Sequence, residues 1–337
     1  MRHTVACAAV ATVAAAVAPV VDADIGERPL AERYAPVVRL VEQKEPCQHG
    51  EPYMPTDVNL VLGNPDVAFR GPWDRTNIIK VAPTGADLAQ GLFDYHLDFP
   101  GKAEAPGCVY DEWSHRLNEG HAPAAYARVV TDPTHRGQLA LQYWFFYVFN
   151  DFNDKHEGDW EMFQLDFDAA TAQQALRQKP ALVGYSQHEG AESAHWGDSK
   201  LELVDGTHPV VYPALGSHAN YYTCSLHLGR SAAQGVGCDD TSGPSTELRP
   251  AVALVPTGKT AYVRAYPSSG TRATGARSTR ASTTARPDRT RSRSGPSRSP
   301  GRATSGATRA SRVPPAPTSA GRRLDSSAVR SRRARAC

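Results

Sequence analysis

The chain of 337 residues lacks the short motifs that mark several large enzyme classes. It has no glycine-rich loop that would cradle a phosphate or a dinucleotide, and no GxSxG segment that would present a nucleophilic serine. It also has no HExxH segment and no CxxC pair, the usual spacings for catalytic and structural zinc. These absences argue against a nucleotide-dependent enzyme, a serine hydrolase and a zinc protein.

The sequence also lacks a βαβ rhythm, an internal repeat and a heptad pattern, which argues against parallel α/β folds, solenoids and coiled coils. Short β-prone runs are present instead, at 37–41, 139–149, 159–167, 181–188, 201–204, 209–215, 251–255 and 260–266. Residues 63–137 are rich in Gly, Pro, Asp and His, and we interpret them as long loops with short strands at 77–81 and 93–97. Many short strands with long loops predict an all-β fold, a β-sandwich with a few short helices.

Long apolar runs are absent except at the N-terminus, where Arg2 and His3 precede a small, apolar segment at 4–21. This pattern is typical of a secretory signal peptide, which we assign to residues 1–23. A membrane anchor is the alternative, although the segment is barely long enough to span a bilayer. We therefore expect an extracellular protein whose folded domain covers residues 24–266.

The C-terminal segment 267–337 has no aromatic residue, no Ile, Met, Lys, Asn or Glu, and 17 Arg. A segment with so little apolar area cannot offset its ordering entropy, which predicts a disordered tail. A frameshift in GC-rich DNA, which yields such residue types, and a basic arm for anionic polymers are alternative readings. The preceding residues contain 20 basic and 33 acidic side chains. We expect no nucleic-acid partner for this acidic domain.

Cysteine is scarce, with six residues in the whole chain. One lies in the predicted signal peptide and one is the last residue. The other four are Cys47, Cys108, Cys224 and Cys238. An even number in an exported domain predicts two disulfide bonds, for which three pairings exist. We favour Cys224–Cys238 and Cys47–Cys108, and the alternative is four reduced thiols.

The richest concentration of chemically active side chains follows the aromatic run at 143–149. Asp151 closes that run, His156 lies in the next turn, and Asp159 and Glu161 leave the same face of the following strand. One imidazole and several carboxylates so close together favour a bound cation. An oxygen-rich set suits Mg²⁺ or Ca²⁺, with Mn²⁺ as a third option. The alternative is a solvated acidic turn.

Two histidines, His188 and His218, each follow a β-prone run and come to the end of the sandwich where loops collect. We predict that they orient the cation ligands or face the bound molecule. A hydrogen-bonded structural role is the alternative for each. A glycosidase pair of Asp159 and Glu161 is disfavoured, because carboxylates two residues apart on a strand are too close for that geometry.

Four segments resemble the Vps62-related proteins, the vacuolar protein sorting-associated protein 62 family. They are YAPVVRL at 34–40, YWFFYVF at 143–149, HEGDWE at 156–161 and HPVVYPALGSH at 208–218. The resemblance spans residues 30–266 and stops where the Arg-rich tail begins. That family brings no established biochemistry to transfer.

A fainter similarity connects KHEGDWE at 155–161 with the GHRHDWE motif of necrosis- and ethylene-inducing, NPP1-like proteins. The matching positions are His156, Asp159, Trp160 and Glu161. Lys155 and Gly158 replace the family's first Gly and second His, and Asp151 stands where its upstream Asp is expected. The resemblance implies a divalent-cation site on a β-sandwich that engages membrane sphingolipids.

Together these patterns predict a secreted, monomeric β-sandwich that binds a membrane or cell-surface glycolipid or glycan with the help of a divalent cation. A metal-dependent hydrolase is one alternative, in which His188 or His218 would transfer protons. A structural extracellular protein whose ion stabilises a loop is another. No residue is predicted to be catalytic on the first reading.

Overall fold

The computed structural model describes residues 26–71, 77–88, 95–188, 190–228 and 238–255. The predicted signal peptide, the predicted strand at 260–266 and the tail at 267–337 lie outside these residues. Among the described residues, no helix combines the length and apolar character needed to cross a membrane.

Strands dominate the described part of the chain. The helical segments are α1 (Glu27–Arg33), a 3₁₀ turn (Val58–Leu60), α2 (Gly85–Leu88), α3 (Val109–Asn118) and α4 (Ala172–Ala175). The first eight strands are β1 (Val37–Val41), β2 (Ala68–Arg70), β3 (Ile78–Val81), β4 (His96–Asp98), β5 (Ala124–Thr131), β6 (Leu139–Asn150), β7 (His156–Phe167) and β8 (Leu182–Gln187). The other eight are β9 (Gly190–His195), β10 (Leu203–Val204), β11 (His208–Pro213), β12 (Asn220–Tyr221), β13 (Leu226–Leu228), β14 (Cys238–Asp240), β15 (Ser245–Leu248) and β16 (Ala251–Leu254).

Two large sheets form a sandwich-like, all-β fold, which confirms the predicted fold class. The first sheet has six strands in the order β16-β5-β6-β7-β8-β9 and is antiparallel except for the β16–β5 pair. The second joins β10-β11-β1-β15, with β12 beside β11 and a parallel β1–β11 pair. A three-stranded sheet, β3-β2-β4, and the β13–β14 hairpin are attached to this body.

The core is centred on β6, which is covered on both faces. Tyr143 stacks on Phe163 of β7 with ring centroids 5.0 Å apart, and both side chains are fully buried. Tyr185 of β8 belongs to the same face and donates a hydrogen bond to the Val210 carbonyl of β11. This face of the six-stranded sheet therefore packs against the second sheet, and buried aromatic area of this size dominates the stability of a core.

The predicted strands at 37–41, 139–149 and 159–167 are confirmed with small shifts at their ends. For 63–137 the predicted strand at 77–81 is confirmed by β3 and the one at 93–97 in part by β4, but the prediction of long loops elsewhere missed α3 and β5. Four of the eight residues of β5 are Ala or Thr. Such short side chains give only a weak hydrophobic alternation, so the sequence does not reveal the strand. Its conformation is determined by pairing with β6 and β16 rather than by local propensity.

The disulfide bond Cys47–Cys108 is confirmed, with a Cα–Cα distance of 5.5 Å. The predicted Cys224–Cys238 bond does not form, since Cys238 has a free and exposed thiol. The reason is the register of the β13–β14 hairpin, which places Cys238 opposite Leu228. The Cys224 Sγ atom lies instead beside the other end of β14, 3.0 Å from the Thr241 carbonyl oxygen.

Candidate functional site

The polar cluster forms where β6 and β7 meet at one end of the six-stranded sheet. Tyr147 lies opposite Asp159 across the two strands, and Phe145 lies opposite Glu161. Gly158 has a positive φ of 70°, a backbone conformation that residues with a Cβ rarely adopt. This turn in the strand brings Asp159 to face Asn150, whose amide donates a 3.0 Å hydrogen bond to Asp159 Oδ2.

His218 lies at the centre of this cluster, between two carboxylates. Its Nδ1 is 2.9 Å from Asp159 Oδ2 and its Nε2 is 3.3 Å from Glu51 Oε1. The side chains of His218 and Glu51 are fully buried. The imidazole also stacks on the Tyr147 ring, with centroids 3.9 Å apart. An imidazole with a carboxylate at each nitrogen donates from both nitrogens only when protonated, so the site holds a buried imidazolium.

The pKa values follow from this arrangement. Burial alone lowers the pKa of His218, but the charges and hydrogen bonds of Glu51 and Asp159 outweigh it and raise the pKa to about 9. Burial raises the pKa of Asp159, but hydrogen bonds from His156 and His218 outweigh it and hold the pKa well below its usual value. The cluster is therefore ion-paired at neutral pH.

Stability should fall as the pH rises above neutrality, because His218 has a higher pKa in the folded protein than in the unfolded chain. Such a group stabilises the fold fully below its unfolded pKa of about 6.5, and its contribution is lost as the pH passes through the folded value. The loss should be on the order of 3 kcal/mol between about pH 7 and pH 10. Urea unfolding across this range measures it. In Glu51→Gln the decline should be smaller and should end at a lower pH, because the folded pKa of His218 is lower there, and a flat profile of the parent would contradict the assignment.

His156 and Asp151, two of the predicted cation ligands, are placed differently. His156 Nε2 lies 3.5 Å from Asp159 Oδ1, and Nδ1 donates to the Asp154 carbonyl at 2.6 Å. Asp151 Oδ1 instead pairs with Lys155 Nζ at 2.6 Å, and its side chain is 42 % exposed. The structure thus joins His156 to Asp159 and leaves Asp151 outside this group.

Glu161 lies next to Asp159 on the strand and is half-buried. Its Oε2 accepts a 3.3 Å hydrogen bond from the Ser186 hydroxyl. Burial, followed by the charge of Asp159, raises its pKa well above the usual range for glutamate. The fully buried Tyr147 hydroxyl makes no hydrogen bond within the described residues. Its pKa is raised by burial and by the charges of Glu161, Glu51 and Asp159, which places it beside the carboxylates.

A second imidazole–carboxylate pair lies beside Glu161. His188 Nε2 is 3.0 Å from Asp239 Oδ2. Asp239 is buried and also accepts hydrogen bonds of 2.7 Å from the hydroxyls of Ser217 and Tyr221. Both predicted histidines therefore reach the acidic cluster, but only His188 has a partly exposed side chain, 22 % against 0 % for His218.

Across the described ranges, no three His, Cys, Asp or Glu side chains converge closely enough to form a ready metal-ligand set. Glu51, Tyr147 and Asp239 belong to the cluster but were not predicted as site residues from the sequence. Glu51 is 167 residues from His218 and Asp239 is 51 residues from His188. No local motif connects positions so far apart. The one sequence signal near them is Cys238, which precedes Asp239 and for which a disulfide bond was predicted.

Comparison with known proteins gives no match to a family profile and none to a curated protein. Solved structures with some similarity include NLPPya in complex with glucosamine, at 16 % identity and a TM-score of 0.36, covering 72 % of this chain and 80 % of that one. NLPPya in complex with mannosamine has 15 % identity and a TM-score of 0.36, with 72 % and 81 % covered. Necrosis and Ethylene inducing Protein 2, from the causal agent of cocoa's Witches Broom disease, has 17 % identity and a TM-score of 0.29, with 58 % and 68 % covered.

These structures belong to the necrosis-inducing group whose motif the sequence resembles, and they offer nothing for the Vps62-related resemblance. All identities are below 25 % and all TM-scores are below 0.5. Such values establish no shared function, so the interpretation of the site depends on its own geometry.

Proposed function

We propose that this protein is an extracellular binder of a glycan or of the sugar headgroup of a glycolipid, and that a divalent cation assists binding at the Asp159 cluster. One observation carries the proposal. Glu161, Ser186 and His188 present half-exposed polar groups side by side, and the Phe152 ring lies 6.0 Å from the His188 ring. Sugar sites combine such polar groups with an aromatic face, because sugars have both hydroxyls and apolar C–H faces.

We propose Glu161, Asp159 and His156 as the residues that would hold the cation, and their side chains would have to close around it, because they form no ready ligand set in the described residues. The raised pKa of Glu161, caused by burial and by the charge of Asp159, indicates a place where added positive charge is favourable. The Tyr147 hydroxyl, which has no hydrogen-bond partner within the described residues, adds an oxygen there. Oxygen-rich surroundings suit Mg²⁺ or Ca²⁺, with Mn²⁺ as a third option. When bound, the cation would supply a positive charge that attracts ligand oxygens.

The other residues of the cluster have supporting roles in this proposal. His218 is fully buried between Glu51 and Asp159, so it holds Asp159 in place and reaches no ligand. Its burial also removes it as the proton carrier of a hydrolase. Glu161 is half-buried and makes one hydrogen bond of 3.3 Å, so its carboxyl group is available to a ligand.

Thermal melting of the full chain in EDTA, Mg²⁺ and Ca²⁺ tests the cation. At a cation concentration of about 100 times its Kd, the midpoint should rise by about 5 to 10 °C, because binding to the folded state stabilises it by about 2.7 kcal/mol. Glu161→Gln should lose this rise, since it removes a negative ligand while leaving the buried His218 pairs intact.

Asp166→Asn is the matched control, because Asp166 is on the same strand, with a pKa that burial raises to about 6, but on the opposite face. It should keep the full cation response. Binding is then measured with immobilised glycans and glycolipid vesicles, and glucosamine and mannosamine serve as soluble probes. A cation response without retention on any of these surfaces would favour a structural ion, and an unchanged midpoint would remove the cation.

A further inference from the structure

We infer that His188 is the ligand-contacting residue of this site, donating a hydrogen bond from Nδ1 to a hydroxyl of an uncharged sugar, and that Asp239 is its positioning residue. This inference rests on the proposed glycan binding and narrows it to one side chain and one ligand class. Neither role is visible in the sequence motif, since Asp239 lies 51 residues beyond His188.

The orientation of His188 is fixed from one side. Nε2 is bonded to Asp239, and Asp239 is itself held by Ser217 and Tyr221. Nδ1 has no hydrogen-bond partner within the described residues. The hydrogen bond to Asp239 raises the pKa of His188 and so favours the form with a proton on both nitrogens, in which Nδ1 is a donor. An imidazole anchored at one nitrogen and open at the other is suited to contact a ligand.

The backbone of His188 is unusual for the turn that it occupies. His188 follows β8 directly and has a positive φ of 50°. Tight hairpin turns with positive φ favour Asn, Asp or Gly, because a longer side chain is strained there. Non-glycine residues held in this region cost about 1–3 kcal/mol and concentrate at functional sites. Histidine is one of the few residues with a Cβ that occur in this region, so the turn can hold an imidazole here.

The surroundings of His188 define the ligand class. Most acids of the cluster are already paired, Asp159 and Glu51 with His218, and Asp239 with His188. Glu161 is the exception, because the contact described for its carboxyl group is the hydrogen bond from the uncharged Ser186 hydroxyl. A ligand beside His188 therefore meets an acid without a counter-charge, which disfavours phosphate and carboxylate groups and favours hydroxyl groups.

His188→Asn in the full chain is the discriminating variant. Asparagine is favoured at positive φ, so the turn should be kept and the melting midpoint should not fall. Asp205→Asn is the matched control, because Asp205 has a similar φ of 52° in another turn. Binding is measured by NMR titration of the ¹⁵N-labelled histidine rings with glucose, N-acetylglucosamine and glucuronate, and the cation response is measured by melting.

We expect the neutral sugars to shift the His188 ring signals of the parent and the control. His188→Asn should weaken their binding by about tenfold or more, the loss expected for one hydrogen bond to a charged group, while keeping the cation response. Asp239→Asn should weaken binding as well and broaden the His188 signals. Equal binding by His188→Asn, or a preference for glucuronate, would overturn this inference and leave the proposed function standing. No binding of any sugar by the folded parent would overturn both.

Discussion

Replacing His218 by alanine should destabilise the protein by about 3–5 kcal/mol, the usual cost of removing one partner from a buried ion pair. Glu51 and Asp159 would then be buried without the imidazolium that lies 3.3 and 2.9 Å from them. The lost stacking on Tyr147 adds to the effect. Equilibrium unfolding in urea measures the change, and in the extreme case no folded protein is obtained.

The exposed His195 of β9 supplies the control, because His195→Ala should change stability by about 0.5 kcal/mol at most. A second comparison isolates the charges. His218→Ala combined with Glu51→Gln and Asp159→Asn should be more stable than His218→Ala alone, since the repelling carboxylates are gone. If the triple variant is less stable than the single one, the destabilisation comes from the cavity rather than from unpaired charge.

Removing the Cys47–Cys108 bond by a double change to serine should cost about 4 kcal/mol, as expected from chain entropy for a closed loop of this length. The two cysteines are 61 residues apart and enclose β2, β3 and β4. The bond therefore joins the two ends of the segment that contains the three-stranded sheet. Denaturant unfolding with and without reductant gives the magnitude. Cys238→Ser is the control and should have little effect, because that thiol is free and exposed.

A small loss on removing the bond would contradict this account and would mean that packing alone holds the segment. Asp111 Oδ2 already accepts hydrogen bonds from the Cys47 amide and the Gln43 side chain. These contacts are partly buried, and each should contribute about 1 kcal/mol, less than the expected effect of the disulfide.

The sequence predicts the all-β class and the central hairpin well, because β6 is a continuous apolar run rich in aromatic residues and the second half of β7 alternates with a period of two. Strand geometry alone also puts Asp159 and Glu161 on one face, and the structure places His156 3.5 Å from Asp159. Whether Asp151 joins this cluster could not be predicted from strand geometry. Its alternative partner, Lys155, lies in the turn, whose path is not determined by strand periodicity.

The roles of the two histidines could not be separated from the sequence, because each simply follows a β-prone run. The difference depends on Glu51, which reaches His218 from the loop after β1, and on Asp239, which reaches His188 from the β13–β14 hairpin. Such pairings over long sequence distances depend on how the sheets stack, and they cannot be predicted from the residue pattern of a single strand.

The placement of β15 and β16 also bears on how fast the chain folds. β15 completes the second sheet beside β1, and β16 completes the first beside β5, so both sheets need residues 245–254 to reach their final width. Within the described ranges, β1 pairs with β11 and β15, strands that begin at residue 208 or later. Proteins dominated by such distant pairings fold slowly, in milliseconds to seconds, because loop closure precedes the contacts that reward it. During synthesis, β1 is made long before its partner strands β11 and β15. The sandwich therefore cannot close until nearly the whole domain has been made.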